Sequence, residues 1–471
     1  MTEPLPTTPS TWRLAAGLAL GGAAALGYAA SARGGLPRRL VMSGLALGVG
    51  STIRVAAASR RPPIPPGAPP LDADAGPPTF SVVVAARDEA AVLPRLIADL
   101  ARQDYRTATE RPLFELIVID DRSVDGTPQA ALRAAAAEGI GAVTRLVRRV
   151  GDELADGKGA ALSAVPPETC HGDVIVVLDA DARVGPTFLS TLATYIRAGA
   201  EAVTVRRRVL QAGSSSLAGA QADEQLADGE IQRGRWALGG CSEFRGNGIV
   251  LRRDVLIGVG GWRVEALTED LDLSSRLAGA TGIRVAWAID AEVWEEPVDA
   301  LAALWRQRVR WAEGAIRRVL EHGPAVVRSP LLSIAARADF VGYAGQVLAP
   351  PIILGSLVGA VIHRRASVAT TLLGGYALTA AALGFDALRW EARPDGGSLS
   401  LRERLRRAVR LAAFGVIWLA AVPAALLRLA LRGGPVQYDK MAHGGGGESP
   451  LDEDSALTGE SLEPAMAGPS R

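Results

Sequence analysis

The segment DVIVVLDADARV, residues 173–184, decides how the rest of the chain is read. Its apolar run, 174–178, is short, rich in β-branched residues and bounded by acids, which predicts a strand buried on both faces. The run stops at Asp179-Ala180-Asp181, so two carboxylates leave the sheet together at a strand's carboxyl end. In open α/β sheets ligands bind outside those ends. Alternate carboxylates there suit a hard divalent cation, with other coordination positions left for phosphates. The plainer alternative is a solvated acidic turn or a helix N-cap before Pro186.

Outward from this segment the chain alternates strand and helix. Apolar runs at 80–86, 114–119, 142–147 and 202–205 read as strands, with helices around 89–103 and from Thr127. That rhythm predicts an α/β fold with a mostly parallel, doubly wound sheet, Rossmann-like in form. The strand 114–119 runs into Asp120-Asp121, and the strand 80–86 into Arg87-Asp88-Glu89. Each pair alone reads as helix capping. Three acidic strand ends at one rim repel one another unless cations or hydrogen-bond donors compensate.

Basic partners are present. In Asp156-Gly157-Lys158-Gly159 a lysine flanked by glycines opens a helix, an arrangement suited to a phosphate. It is not a GxxxxGK[ST] loop, and no GxGxxG follows the first strand, so NTP hydrolysis and dinucleotide binding are both disfavoured. Further on, Thr268-Glu269-Asp270-Leu271-Asp272 places acids at the start of a helical pattern. They serve either as a cap or as a carboxylate able to take a proton from an attacking hydroxyl. The segment WRQRVRWAE, 305–313, carries Arg306, Arg308 and Arg310 between two tryptophans; it reads as a surface amphipathic helix or as groups that close over a diphosphate and a sugar.

Composition narrows the class. The chain has 471 residues, 48% of them hydrophobic, with a net charge of +1 and 5% aromatics, a balance that disfavours nucleic-acid binding. Two cysteines and four histidines without a CxxC suggest neither a zinc site nor a disulfide framework.

Membrane segments flank the α/β part. Residues 12–32 form an apolar run of spanning length, read as a retained anchor rather than a signal peptide because no basic region precedes it. Residues 40–58 form a second run, interrupted by Arg54. Three more spans are expected at 340–362, 368–388 and 411–431. The arginine-rich loop 391–410 places that loop and the α/β part in the cytoplasm by the positive-inside rule. The chain thus divides into an N-terminal membrane segment of one or two spans (1–60), a Pro-rich linker (61–78), a cytoplasmic catalytic domain (79–336), a C-terminal membrane region (337–432) and a disordered Gly-rich acidic tail (433–471).

Taken in order, VVVAARDEA, VIDDRSVDGT, KGAAL, VLDADA, FRGNGIVLRRD, TEDLDL and QRVRW resemble the membrane-embedded family 2 glycosyltransferases, the group of cellulose, hyaluronan and poly-N-acetylglucosamine synthases and ceramide glucosyltransferase. The resemblance covers about 80–321 and implies a GT-A fold, an integral protein of the bacterial plasma membrane and an inverting, metal-dependent transfer. The sugar would pass from a nucleotide-diphosphate sugar, a UDP-hexose or UDP-N-acetylhexosamine, to a lipid or glycan hydroxyl. It also implies roles: Asp181 and Asp179 for Mg²⁺ or Mn²⁺; Asp88, Asp120, Asp121, Lys158 and Asp179 for the nucleotide sugar; Asp270, with Glu269, for catalysis; Gln307, Arg308, Arg310 and Trp311 for acceptor and diphosphate, in a segment expected to act as a lid. The usual Asn-Glu after the first strand is Asp88-Glu89 here. Two other readings remain at this level: a processive polysaccharide synthase that secretes its polymer, and an inactive membrane scaffold or transport component.

Overall fold

A computed structural model describes residues 9–33, 35–61, 76–151, 154–392 and 397–432. Most of the Pro-rich stretch and the whole tail therefore lie outside the described residues. The chain opens with two long apolar helices, α1 (Ser10–Ala32) and α2 (Gly35–Ala58). The α/β part follows as β1 (Phe80–Ala86), α3 (Leu93–Ala101), β2 (Phe114–Asp121), α4 (Thr127–Ala137), β3 (Thr144–Arg149), α5 (Lys158–Leu162), β4 (Val174–Asp179), β5 (Arg183–Val184), α6 (Phe188–Arg197) and β6 (Ala202–Val209). It continues through α7 (Ser216–Ala237), β7 (Ile249–Arg252), α8 (Arg253–Gly258), α9 (Glu269–Thr281), β8 (Ala286–Glu295) and α10 (Leu301–Arg328). The last helices are α11 (Ile334–Gly345), α12 (Ala349–His363), α13 (Ser367–Ala387), α14 (Leu401–Phe414) and α15 (Val416–Leu431).

The eight strands form one sheet in the order β3-β2-β1-β4-β7-β6-β8-β5. Strands β1 to β4 are parallel, whereas β7 runs antiparallel between β4 and β6, so the sheet is mixed. Continuous apolar runs make this possible, because both faces of the central strands are covered. Val82, Val84, Leu116, Val118, Val176 and Leu178 pack on one side with α3 and α6. On the other side Val83, Ile117, Ile119, Ile175 and Val177 pack with α5 and α9. Each such side chain contributes about 1.5–3 kcal/mol on burial.

Register fixes the acidic rim. Ala86 pairs with Asp120, and Ala85 lies opposite Asp179, so the ends of β2 and β4 flank the end of β1.

Five helical stretches among the described residues are long and apolar enough to cross a membrane: Ser10–Ala32, Gly35–Ala58, Ile334–His363, Ser367–Trp390 and Leu401–Leu431. One expectation is corrected here. Much of the arginine-rich loop is helical: Arg402, Arg404, Arg406, Arg407 and Arg410 ride on α14, which Ser400 and Glu403 open with a reciprocal capping box.

Helix α7 joins the two halves. It is polar on nearly every side yet largely buried, the pattern of a helix that bridges packed bodies. Asp223 holds Arg407 and Arg410 of α14, each at 2.7 Å. Glu224 accepts from Trp418 Nε1 at 2.6 Å, and Glu230 from Arg389 at 2.6 Å.

Candidate active site

The carboxyl ends of β1, β2 and β4 open into a cavity of about 1990 Å³. A single ligand pocket usually measures roughly 300–1,000 Å³, so this one has room for two substrates. Asp121, Lys158, Asp179, Asp181, Glu269 and Asp270 line its polar end. Its far walls are apolar and come from the long helices, among them Leu26, Val41, Ile353, Leu372 and Val422.

Lys158 ties the rim together. Its ammonium pairs with Asp179, donates to the Gly246 carbonyl at 2.9 Å and lies 3.6 Å from Glu269. Burial opposes this charge, but Asp179 and Glu269 outweigh it and hold the lysine above its ordinary pKa. The close seating needs Gly159, where an added Cβ would lie 2.7 Å from the Arg263 carbonyl oxygen. Burial pushes the Glu269 carboxyl up, against the pull of Lys158 and with a further push from Asp270. Asp270 is also raised by burial, while the Leu271 amide and the Arg245 guanidinium favour its ionised form. A carboxylate so placed is a stronger base than an exposed one.

Helix α10 meets α9 closely through Gly314, whose Cβ would fall 2.3 Å from Thr268 Cγ2. Arg306, Gln307, Arg310 and Trp311 line the cavity. Arg308 points elsewhere: only 2% exposed, it pairs with Glu224 and Gln307 and stacks 4.3 Å from the Trp311 ring centroid. The expected lid segment lies inside the 28-residue α10 and forms one wall of the cavity.

Two other rim residues serve the loops. Asp88, at a left-handed φ of 51°, donates its amide to Ser123 Oγ, and its carboxylate accepts from the Val124 N–H at 2.8 Å. Asp120 is fully buried and pairs with Arg148 at 3.2 Å. Neither lines the cavity; Asp121 does, held by Arg149 at 2.7 Å. Arg245 and Asn247 of the FRGNGIVLRRD motif also line it, as do Arg207 and Glu295, which did not stand out by spacing. Arg207 is bound to Glu295 and lies 5.8 Å from the Trp311 ring. The signal was the strand period: in Arg206-Arg207-Arg208 only the middle residue turns toward the cavity.

Carboxylate oxygens at Asp179 and Asp181, beside a phosphate-compatible lysine, fit a hard divalent cation. A second acidic group, Asp272, Glu321 and His322, has ligand atoms within 4.8 Å of one another. Arg276 and Arg263 already bond Asp272 at 2.8 and 3.1 Å, and none of the three residues lines the cavity, so their charge is balanced as an ion-pair cluster.

This acid-rimmed mixed sheet is the GT-A fold of nucleotide-sugar transferases. It resembles a mannosyltransferase of Pyrobaculum calidifontis solved with GDP-Man and Mn²⁺, with a TM-score of 0.50 and 19% identity over 89% of this chain and 98% of that one. The glycosyltransferase-like family 2 profile matches residues 77–314, and the chain belongs to that family. Among relatives, beta-monoglucosyldiacylglycerol synthase of Synechocystis is 30% identical over 82% of this chain and 80% of its own length. The synthase of the same name from Trichormus variabilis is 29% identical over 79% and 78%. A poly-beta-1,6-N-acetyl-D-glucosamine synthase of Staphylococcus aureus is 31% identical over 18% of this chain.

Proposed function

We propose that this glycosyltransferase is a membrane-anchored, inverting enzyme that moves glucose from UDP-glucose to the free hydroxyl of diacylglycerol. The observation that carries the reading is the single cavity with carboxylates and Lys158 at one end and the apolar faces of long helices at the other. A lipid whose hydroxyl reaches the rim while its chains stay among apolar helices fits that shape. The two synthases similar over four fifths of this chain support the same acceptor class.

Asp270 takes the proton of the acceptor hydroxyl. The oxygen then attacks the anomeric carbon from the face opposite the diphosphate, and the bond to the diphosphate oxygen breaks with its electron pair leaving on UDP. One displacement inverts the carbon. Lys158 and Arg310 offset charge growing on the leaving group, an electrostatic effect worth several kcal/mol in enzymes generally. Asp121 lies at the nucleotide end, and Trp311 offers a face for a sugar or lipid head. Asp179 and Asp181 would hold Mg²⁺ or Mn²⁺, which supplies Lewis-acid stabilisation of phosphate charge. The α/β part faces the cytoplasm, where UDP-sugars are made, with the arginines of α14 on that side. A single-transfer product suits walls that are apolar rather than lined for a polymer.

The test is UDP release and glycolipid formation by detergent-purified protein from a panel of nucleotide sugars with diacylglycerol. UDP-glucose and diacylglycerol should give one β-linked monoglucosyl product, and Asp270→Asn should abolish it while nucleotide-sugar binding persists. A long polysaccharide product, or equal loss of binding and transfer in Asp270→Asn, would overturn the reading.

A further inference from the structure

The loop between α7 and β7 contains a buried polar atom without a partner. Asn247 is 1% exposed and lines the cavity. Its Oδ1 accepts from the Asp179 backbone N–H at 3.1 Å, which fixes the orientation of the amide. Its Nδ2 is buried and has no hydrogen-bond partner among the described residues. Buried amide donors are nearly always satisfied, and an exception calls for a cause.

The backbone of the loop is held at several points. Gly246 and Gly248 both have left-handed φ values, +80° and +75°, and a Cβ on Gly248 would meet Val205 Cγ2 at 2.1 Å. The Lys158 ammonium donates to the Gly246 carbonyl at 2.9 Å, and the Gly248 N–H to the Val177 carbonyl at 3.0 Å. The Phe244 N–H donates to Ser274 Oγ at 2.9 Å. The backbone pinned at these points holds Asn247 at the cavity wall, and Nδ2, sealed from solvent here, opens to a ligand when the side chains over it shift on donor binding. Asp179 lines that wall too. Asp270 Oδ2 lies 3.8 Å from where a Cβ on the preceding Gly246 would sit.

We propose that Asn247 Nδ2 donates a hydrogen bond to one hydroxyl of the transferred sugar and so selects the donor. The inference rests on the glycosyltransferase reading above, in which the sugar lies between the diphosphate near Asp179 and the base Asp270. A hydroxyl or ring oxygen is the acceptor such a donor lacks. A site built to bond a substrate hydroxyl discriminates strongly against an analogue lacking it.

The experiment compares wild type, Asn247→Ala and the isosteric Asn247→Asp with UDP-glucose and its 2-, 3-, 4- and 6-deoxy analogues, alongside calorimetry of UDP and each nucleotide sugar. In wild type one deoxy analogue should lose about ten- to a hundredfold in kcat/KM. Asn247→Ala should lose a similar factor with UDP-glucose but almost nothing further with that analogue, while its affinity for UDP stays within about twofold. Asn247→Asp, which keeps Oδ1 for the Asp179 N–H, should show the same loss of discrimination.

Equal losses for UDP-glucose and every analogue would overturn the proposal, as would a parallel fall in UDP affinity, because Asn247 would then only brace the Asp179 backbone. If wild type transfers nothing from UDP-glucose, the functional reading fails by itself. Calorimetry with UDP-galactose, UDP-N-acetylglucosamine and GDP-mannose still decides the role of Asn247: in the variants the affinity gained from the sugar of whichever donor binds must vanish.

Discussion

Replacing Lys158 by methionine removes the one cation that Asp179 and Glu269 share with the Gly246 carbonyl. At 3.6 Å from Glu269, with an effective dielectric near 20, the gross attraction is about 4–5 kcal/mol. Desolvation of both groups offsets much of it, so a double-mutant cycle should return about 1–3 kcal/mol of coupling. Lys158→Met should therefore lower the thermal midpoint in detergent and reduce transfer about 10²–10³-fold, the usual cost of losing one preorganised charge stabiliser. Adding Glu269→Gln removes the more buried of the two carboxylates that lose this partner. The double variant should recover most of the midpoint and none of the transfer. UDP release under saturating donor, read beside the unfolding curve, separates the two effects. If the double variant regains transfer, Lys158 is only a counter-ion to Glu269; if the stability losses add, the two groups are not coupled.

Gly314→Val should push the segment at Thr268, lowering turnover about a hundredfold through misplacement of Asp270 while calorimetry shows UDP affinity unchanged. Asp181→Ala should raise the Mg²⁺ or Mn²⁺ concentration needed for half-maximal nucleotide binding, with metal-free UDP binding as the baseline. Glu243 gives an acid-stability prediction. Burial opposes its charge, but Arg318, Arg235 and Arg245 outweigh burial and bring its pKa down to about 2. Because the folded value lies below the ordinary 4.5, the stabilisation is present above pH 4.5 and is lost as pH falls toward 2. It amounts to about 3 kcal/mol. Glu243→Gln should flatten that part of a thermal midpoint against pH curve and lower the midpoint at pH 7.

The parallel half of the sheet was legible because β1, β2 and β4 are unbroken apolar runs ending in acids. Strand β7 was not: it has four residues, Ile249–Arg252, and its antiparallel place between β4 and β6 depends on contacts far apart in sequence. Helix α7 lacks an apolar stripe, so hydrophobic periodicity passes over it. Two further signals lie in the sequence. Ser400 with Glu403 is a capping box that announces α14. Arg308 lies two residues from Arg306 and Arg310, about 200° around a helix, so it cannot share their face. Side-chain roles at the rim required the register. Spacing alone does not tell that Asp121 turns to the cavity while Asp120 turns to Arg148.

Helix α7 bears on how modular the enzyme is. Its carboxylates Asp223, Glu224 and Glu230 find their partners on Arg407, Arg410, Trp418 and Arg389, all of which belong to the C-terminal helices. A soluble fragment cut before those helices keeps every rim residue and the Arg308–Glu224 pair yet strands Asp223 and Glu230, a strongly destabilising change when such groups are buried. Grafting the transferase half onto another protein's anchors meets the same obstacle. The portable unit is the catalytic sheet together with α13 to α15 and with α2, whose Val55 carbonyl oxygen would lie 2.1 Å from a Cβ on Gly234 of α7, and exchange between relatives should succeed only when the seam is moved outside that block.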